Sequence, residues 1–149
     1  MSARIEKAVV SGVSSLDGQD FDVDDDVWLV GDDEEVLVID APHRVGPIVE
    51  AVGGRRVTAI ALTHGHDDHV TAAVDLREAT GAPIWSHPAD QMLWDVVHGG
   101  PGATGRSSGD HPTIVRSIRD TLPPLPGDTV VRTGHGDDTT IAAEAGRAG

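Results

Sequence analysis

The sequence predicts an α/β fold, and three observations carry that prediction. Short apolar runs rich in β-branched residues, at Val27–Val30, Glu35–Ile39 and Val57–Leu62, have the length and composition of strands. Between and after them lie stretches in which apolar residues recur every three or four positions, the period of a helix packed on one face. The 149 residues suffice for one hydrophobic core, so one domain over 1–149 is expected. Aromatic residues make up 3% of the chain, so that core must be built from Val, Ile, Leu and Ala.

The elements follow in order. Residues 4–13 alternate weakly and predict a first strand. Asp17 to Asp26 predicts an acidic loop with Gly18 as a turn residue. Val27–Val30 and Glu35–Ile39 flank Gly31-Asp32-Asp33-Glu34, which predicts a hairpin. Asp40 ends the second of these strands, where turn preference alone makes it a loop-initiating or capping carboxylate. His43 lies in a Pro-containing loop with no partner at a telling spacing and is expected to be exposed. Pro47 to Val52 predicts a short helix closed by Gly53-Gly54.

Beyond residue 69, VTAAVDLREATG puts Val70, Ala73 and Val74 on one helical face and Gly81 just past the end. Ile84-Trp85 is a brief strand. His87-Pro88 opens a helix to His98, with Met92, Leu93, Val96 and Val97 facing inward. His87 and His98 are expected to be structural or exposed. Asp110 or His111 caps a helix that starts at Pro112 and buries Ile114, Val115, Ile118 and Leu122. Thr129–Arg132 is a late strand, leading into Thr133-Gly134-His135-Gly136-Asp137.

Bulk properties exclude several function classes. A net charge of −14 and a pI near 4.6 argue against a nucleic-acid partner, whose phosphates require clustered Lys and Arg. Without cysteine there is no disulfide, thiolate metal site or Cys nucleophile. MSARIEKAVV lacks the apolar core of a signal peptide, and no run approaches membrane length. A cytoplasmic protein with no membrane partner is expected.

The chemistry concentrates in VTAIALTHGHDDH, residues 57–69. An apolar strand ends at Thr63 and delivers three histidines and two aspartates within six residues. His64 and His66, two apart in extended chain, share a face and can reach one point. Asp68 and His69 follow where the chain turns, and can reach a second point nearby. Asp68 at that turn could also cap the next helix. Imidazole nitrogen with carboxylate oxygen is a ligand set that zinc, iron or manganese accepts.

His64, His66, Asp68 and His69 in THGHDDH resemble the HxHxDH signature of the metallo-β-lactamase superfamily. Together with VWLVGDDEEVLVIDAP, GAPIWSHPAD, GGPGATGRS and VVRTGHGDDTTI, the chain looks like the glyoxalase II-like (hydroxyacylglutathione hydrolase-like) branch. The resemblance implies an abridged αββα sandwich and a metal-dependent hydrolase of a small ester or thioester. It implies His64 and His66 as ligands of a first metal, and Asp68, His69 and His135 as ligands of a second. It implies that Asp40 lies beneath the metals and orients a ligand, that Asp68 takes a proton in turnover, and that Arg106 meets an anionic substrate tail. Zn2+ at one or two per chain is the expected cofactor, with Fe or Mn as alternatives. Hydroxide held by the metal would attack a substrate carbonyl.

The chain also departs from that family. About fifty residues are absent at about 98–99, far beyond an ordinary loop-length change. They would carry a further ligand His and a metal-bridging Asp, so two ligands of the family site are missing. The closing amphipathic helix is missing as well. The alternative function is therefore a catalytically impaired or inactive metal-binding remnant. Only His98, Asp110 and His111 flank the junction as replacements.

Overall fold

The structure is a computed structural model and describes residues 2–98, 111–122 and 124–145. The side chains of Met92, Val96, His111, Ile114 and Val115 lie outside the described set, as do Arg106, Asp110 and the junction after His98. The chain forms two compact units, 1–105 and 106–149.

The first unit is a five-stranded mixed sheet in the order β1-β2-β3-β4-β5, with helices between the later strands. β1 (Arg4–Leu16) and β2 (Gln19–Gly31) form a long antiparallel hairpin, paired from Leu16↔Gln19 to Arg4↔Gly31. The predicted acidic loop is thus a correction. Only Asp17 and Gly18 make the turn, both with positive φ, as a tight two-residue hairpin requires. Carboxylates from Asp20 to Asp24 are tolerated in strand because the hairpin arm is largely exposed there.

β3 (Glu35–Ile39) pairs antiparallel with β2, with Trp28 opposite Ile39. Its turn is fixed by Asp32, whose Oδ1 accepts the Glu34 and Glu35 amides at 2.9 and 3.0 Å. α1 (Val45–Val52) then crosses to β4 (Arg56–Ala61), which runs parallel to β3. α1 buries Ile48 and Val52 and stops at Gly53 in the left-handed region.

The helix predicted after His69 is divided. A four-residue turn, α2 (Asp67–Val70), precedes α3 (Ala73–Thr80), which ends at Gly81 as expected. The break falls where the Ala72 amide leaves the helical ladder and bonds the Ala41 carbonyl at 2.9 Å instead. β5 (Ile84–Trp85), a 3-10 turn (Pro88–Asp90) and α4 (Gln91–His98) complete the unit. Val27, Leu29, Val36, Val38, Ile48, Ile60, Val70 and Leu76 are buried together in its core.

In the second unit, α5 (His111–Thr121) precedes a small ladder of β6 (Val130–Val131) with β7 (Thr139–Thr140), then α6 (Ile141–Ala145). The sequence suggested no closing helix, and α6 is a short one of five residues. Ile118 is 42% exposed, against the expected buried stripe. Periodicity marks which face of a helix is apolar, and it does not guarantee that the face is covered.

Candidate metal centre

β3 and β4 are parallel neighbours, so their carboxyl ends emerge side by side, the place where open α/β sheets present ligand-binding groups. Asp40 leaves the end of β3 and Thr63–His69 leave the end of β4. Backbone bonds lock the two: Asp40 N–H to the Ala61 carbonyl and Ala41 N–H to the His69 carbonyl, both 2.9 Å.

Asp40 is buried and holds a left-handed backbone, with φ of 65°. Such strain persists where the surroundings over-determine it, often at functional sites. Its Oδ1 accepts the Thr63 amide at 2.8 Å, and the Thr63 hydroxyl donates to the same carboxylate. Its Oδ2 lies 2.9 Å from His69 Nδ1, so that nitrogen carries the proton and donates. Asp40 does begin the loop after β3, and its carboxylate bonds the loop after β4 and His69. The same carboxylate acts on His64 at one remove. Thr63 has one hydroxyl proton and gives it to Asp40, so at 3.0 Å its oxygen accepts from His64 Nδ1. Both imidazoles are thereby set as Nδ1–H tautomers, which in the neutral ring puts the lone pair on Nε2. This is the arrangement in which a carboxylate or hydroxyl behind a histidine prepares it for a metal.

The rings of His64 and His66 are 4.7 Å apart, and those of His64 and His69 are 4.1 Å apart. Burial, followed by the His69 and His66 rings, holds His64 below the ordinary imidazole pKa, which favours the neutral, ligating form. For His69 burial acts downward, but the hydrogen bond and charge of Asp40 and the charges of Asp68 and Asp25 outweigh it and raise the value. A buried imidazole facing three carboxylates attracts a cation, whether a proton or a metal.

Two groups of ligand atoms result. Those of His64, His66 and Asp68 lie within 4.8 Å of one another, and so do those of Asp25, Asp68 and His69. Asp68 is common to both. The helix-capping alternative for Asp68 is not realised: Asp68 lies inside α2, whose cap position is His66, and Asp67 Oδ1 accepts the Asp68 amide at 2.8 Å. Gly65 lets the loop lie flat, since a Cβ there would sit 2.8 Å from that of Leu93. The donor chemistry, tautomers and spacing fit a divalent metal.

Of the other histidines, His98 bonds the Val70 carbonyl at 2.9 Å and packs on Trp94, a structural role. His87 accepts the Ala89 amide at the start of the 3-10 turn. His135 lies between β6 and β7 in the second unit, where the Thr133 hydroxyl donates to its carbonyl at 2.9 Å. His43 corrects an expectation. Its side chain is 6% exposed, and its Nε2 meets Asp25 Oδ2 at 2.5 Å. Sequence reasoning missed Asp25, His43 and Thr63. Only Thr63 carried a signal, as the hydroxyl residue immediately before the motif.

The family model described as the metallo-beta-lactamase superfamily matches residues 22–143. An uncharacterized 11.5 kDa protein of Rhodococcus erythropolis, from the thcD 3′ region, is 45% identical over 102 residues, 68% of this chain and 85% of that one. A hydroxyacylglutathione hydrolase of Cereibacter sphaeroides is 47% identical over 58 residues, 38% of this chain and 22% of that one. Among solved structures, the BLEG-1 B3 metallo-beta-lactamase aligns with a TM-score of 0.70 at 18% identity, covering 92% of this chain and 97% of the other. With the family match spanning most of its length and the HxHxDH residues gathered after β4, the chain belongs to the metallo-beta-lactamase superfamily, with relatives in its glyoxalase II-like branch.

Proposed function

We propose that this chain is a metal-dependent hydrolase of a small ester or thioester. The observation that carries the reading is that one buried carboxylate, Asp40, orients both His64 (through Thr63) and His69, whose ligand atoms fall in the two groups that share Asp68. A bound divalent ion would polarise an acyl carbonyl and lower the pKa of water from about 16 towards about 7. His64 and His66 would hold one ion, and Asp68 with His69 a second position. His135, by family resemblance, is the further ligand assigned to that second position. Asp40 keeps the Nδ1 protons in place throughout. Water oxygen bonds to the acyl carbon, the C–S or C–O bond breaks, and Asp68 is the residue placed to take a proton and pass it to the leaving group. The name of the Cereibacter sphaeroides relative supports a thioester as the substrate class. Zinc is the proposed metal, with iron or manganese as alternatives for the same donors. The proposed partner is a small molecule, and Arg106 is the proposed contact for its anionic tail.

A second reading, metal binding without turnover, is favoured by the missing pair of family ligands. Thiol release from a small acyl thioester separates the two. The enzyme reading expects turnover that a chelator abolishes, zinc restores and Asp68→Ala removes. Metal-loaded protein without turnover above background on thioesters or esters would leave the second reading standing.

A further inference from the structure

Asp25 is a fully buried carboxylate on β2 that the family signature does not include. Its position follows from register. Trp28 pairs with Ile39, so Asp25, three residues earlier on the antiparallel strand, stands beyond the end of β3, level with Pro42. It therefore reaches the same end of the sheet as Asp40 and His69. We infer that Asp25 is a metal ligand in this chain, a carboxylate that β2 supplies to the ion held by Asp68 and His69, with His43 as the residue that positions it. The inference rests on the metal-site reading above and extends it to a residue from a different strand.

The distances carry the argument. Asp25 Oδ1 stands 3.9 Å from His69 Nε2, and Asp68 Oδ2 stands 3.8 Å from the same nitrogen. Both separations are too long for hydrogen bonds. Ligand bonds of about 2.0–2.2 Å in tetrahedral array put neighbouring donor atoms about 3.4 Å apart. Two carboxylate oxygens arranged around one imidazole nitrogen, each a few tenths of an ångström beyond that spacing, fit donors facing a common ion.

The other half of Asp25 is equally specified. Oδ2 is held by His43 Nε2, and His43 reaches it with a left-handed backbone at φ of 51°. The opposite strand makes way: a Cβ at Gly12 would sit 2.2 Å from the His43 ring. A histidine held in a strained conformation, in a space that requires glycine, behind a buried carboxylate, is the support a metal-ligating carboxylate has elsewhere. Asp25 would thus supply the site with a carboxylate where the family's bridging Asp is missing.

Zinc binding by calorimetry, with the absorption spectrum of the Co2+-loaded protein, tests this on the full chain. The variants are Asp25→Asn, His43→Gln, and Asp68→Asn as the reference ligand loss. Circular dichroism melts of the metal-free proteins check folding. Asp25→Asn should weaken zinc binding by more than the roughly 10–100-fold that loss of a supporting residue costs, and shift the cobalt bands. His43→Gln should weaken it by about 10-fold with a smaller spectral change. Should Asp25→Asn fail to fold, the His43→Gln affinity and spectrum decide alone. Affinity within twofold of wild type in the variants, with unchanged cobalt bands and binding lost in Asp68→Asn, would overturn the inference and leave the hydrolase reading intact. A wild-type chain that takes up no metal would overturn both.

Discussion

Replacing Asp40 by Asn changes one atom in a buried site and should disable it. The native carboxylate accepts from the Thr63 amide, the Thr63 hydroxyl and His69 Nδ1. An amide can keep its oxygen on the Thr63 amide, but its NH2 then faces His69 Nδ1. A donor facing a donor is unfavourable, so the His69 proton moves to Nε2, the nitrogen that faces Asp68 and Asp25. Metal binding must then displace that proton and restore the unfavourable pairing. Losses of this kind cost about 10–100-fold in metal affinity, or about 1.4–2.7 kcal/mol. The metal-free fold should weaken too. One charge-assisted hydrogen bond is worth about 1.5–3 kcal/mol, and at this size each kcal/mol moves the midpoint by about 2–4 °C. The expected fall is about 3–12 °C. Zinc competition with a chromophoric chelator and a thermal melt measure both effects. Wild-type affinity in a folded Asp40→Asn protein would refute the claim that this carboxylate sets the tautomers.

Other outcomes follow from the same structure. Gly65→Ala puts a Cβ against Leu93 and Asp90, so it should shift the loop between His64 and His66 and lower zinc affinity, read by the same competition assay. Gly12→Ala should displace His43 and cost about 1–3 kcal/mol by overpacking, read by denaturant melts. His98→Ala should lower the melting midpoint through loss of its bond to Val70 yet leave zinc stoichiometry unchanged, which separates a structural histidine from a ligand. Glu6 is held below the ordinary carboxylate pKa, chiefly by its hydrogen bond to Arg55. Its contribution is therefore whole above that ordinary value and fades as pH falls through the lower folded-state value. The difference in midpoint between Glu6→Gln and wild type should be present at neutral pH and vanish in acid.

What the sequence made legible was local. The hairpin around Asp32, the helix ending at Gly81 and the His- and Asp-rich stretch after β4 all follow from residues close together in the chain, where spacing and turn chemistry act directly. What it hid was long-range pairing. Asp20 to Asp26 looks like a solvated loop because its carboxylates are charged, yet pairing with β1 makes it strand and buries Asp25 opposite Val10. His43 looks exposed because its partner lies on another strand, 18 residues away. Asp40 is ambiguous by turn preference and is resolved only when β3 and β4 align side by side. The break after Thr71 was hidden for the same reason: the Ala72 amide bonds the Ala41 carbonyl, a partner far away in the chain.

The most direct test is metal content per chain, by elemental analysis of protein purified from zinc-supplemented cells, beside an Asp68→Ala variant. Asp68 is common to both ligand groups, so the account predicts at least one zinc per wild-type chain and its loss in the variant. A folded wild-type protein without metal, or a variant that retains as much as wild type, would contradict it.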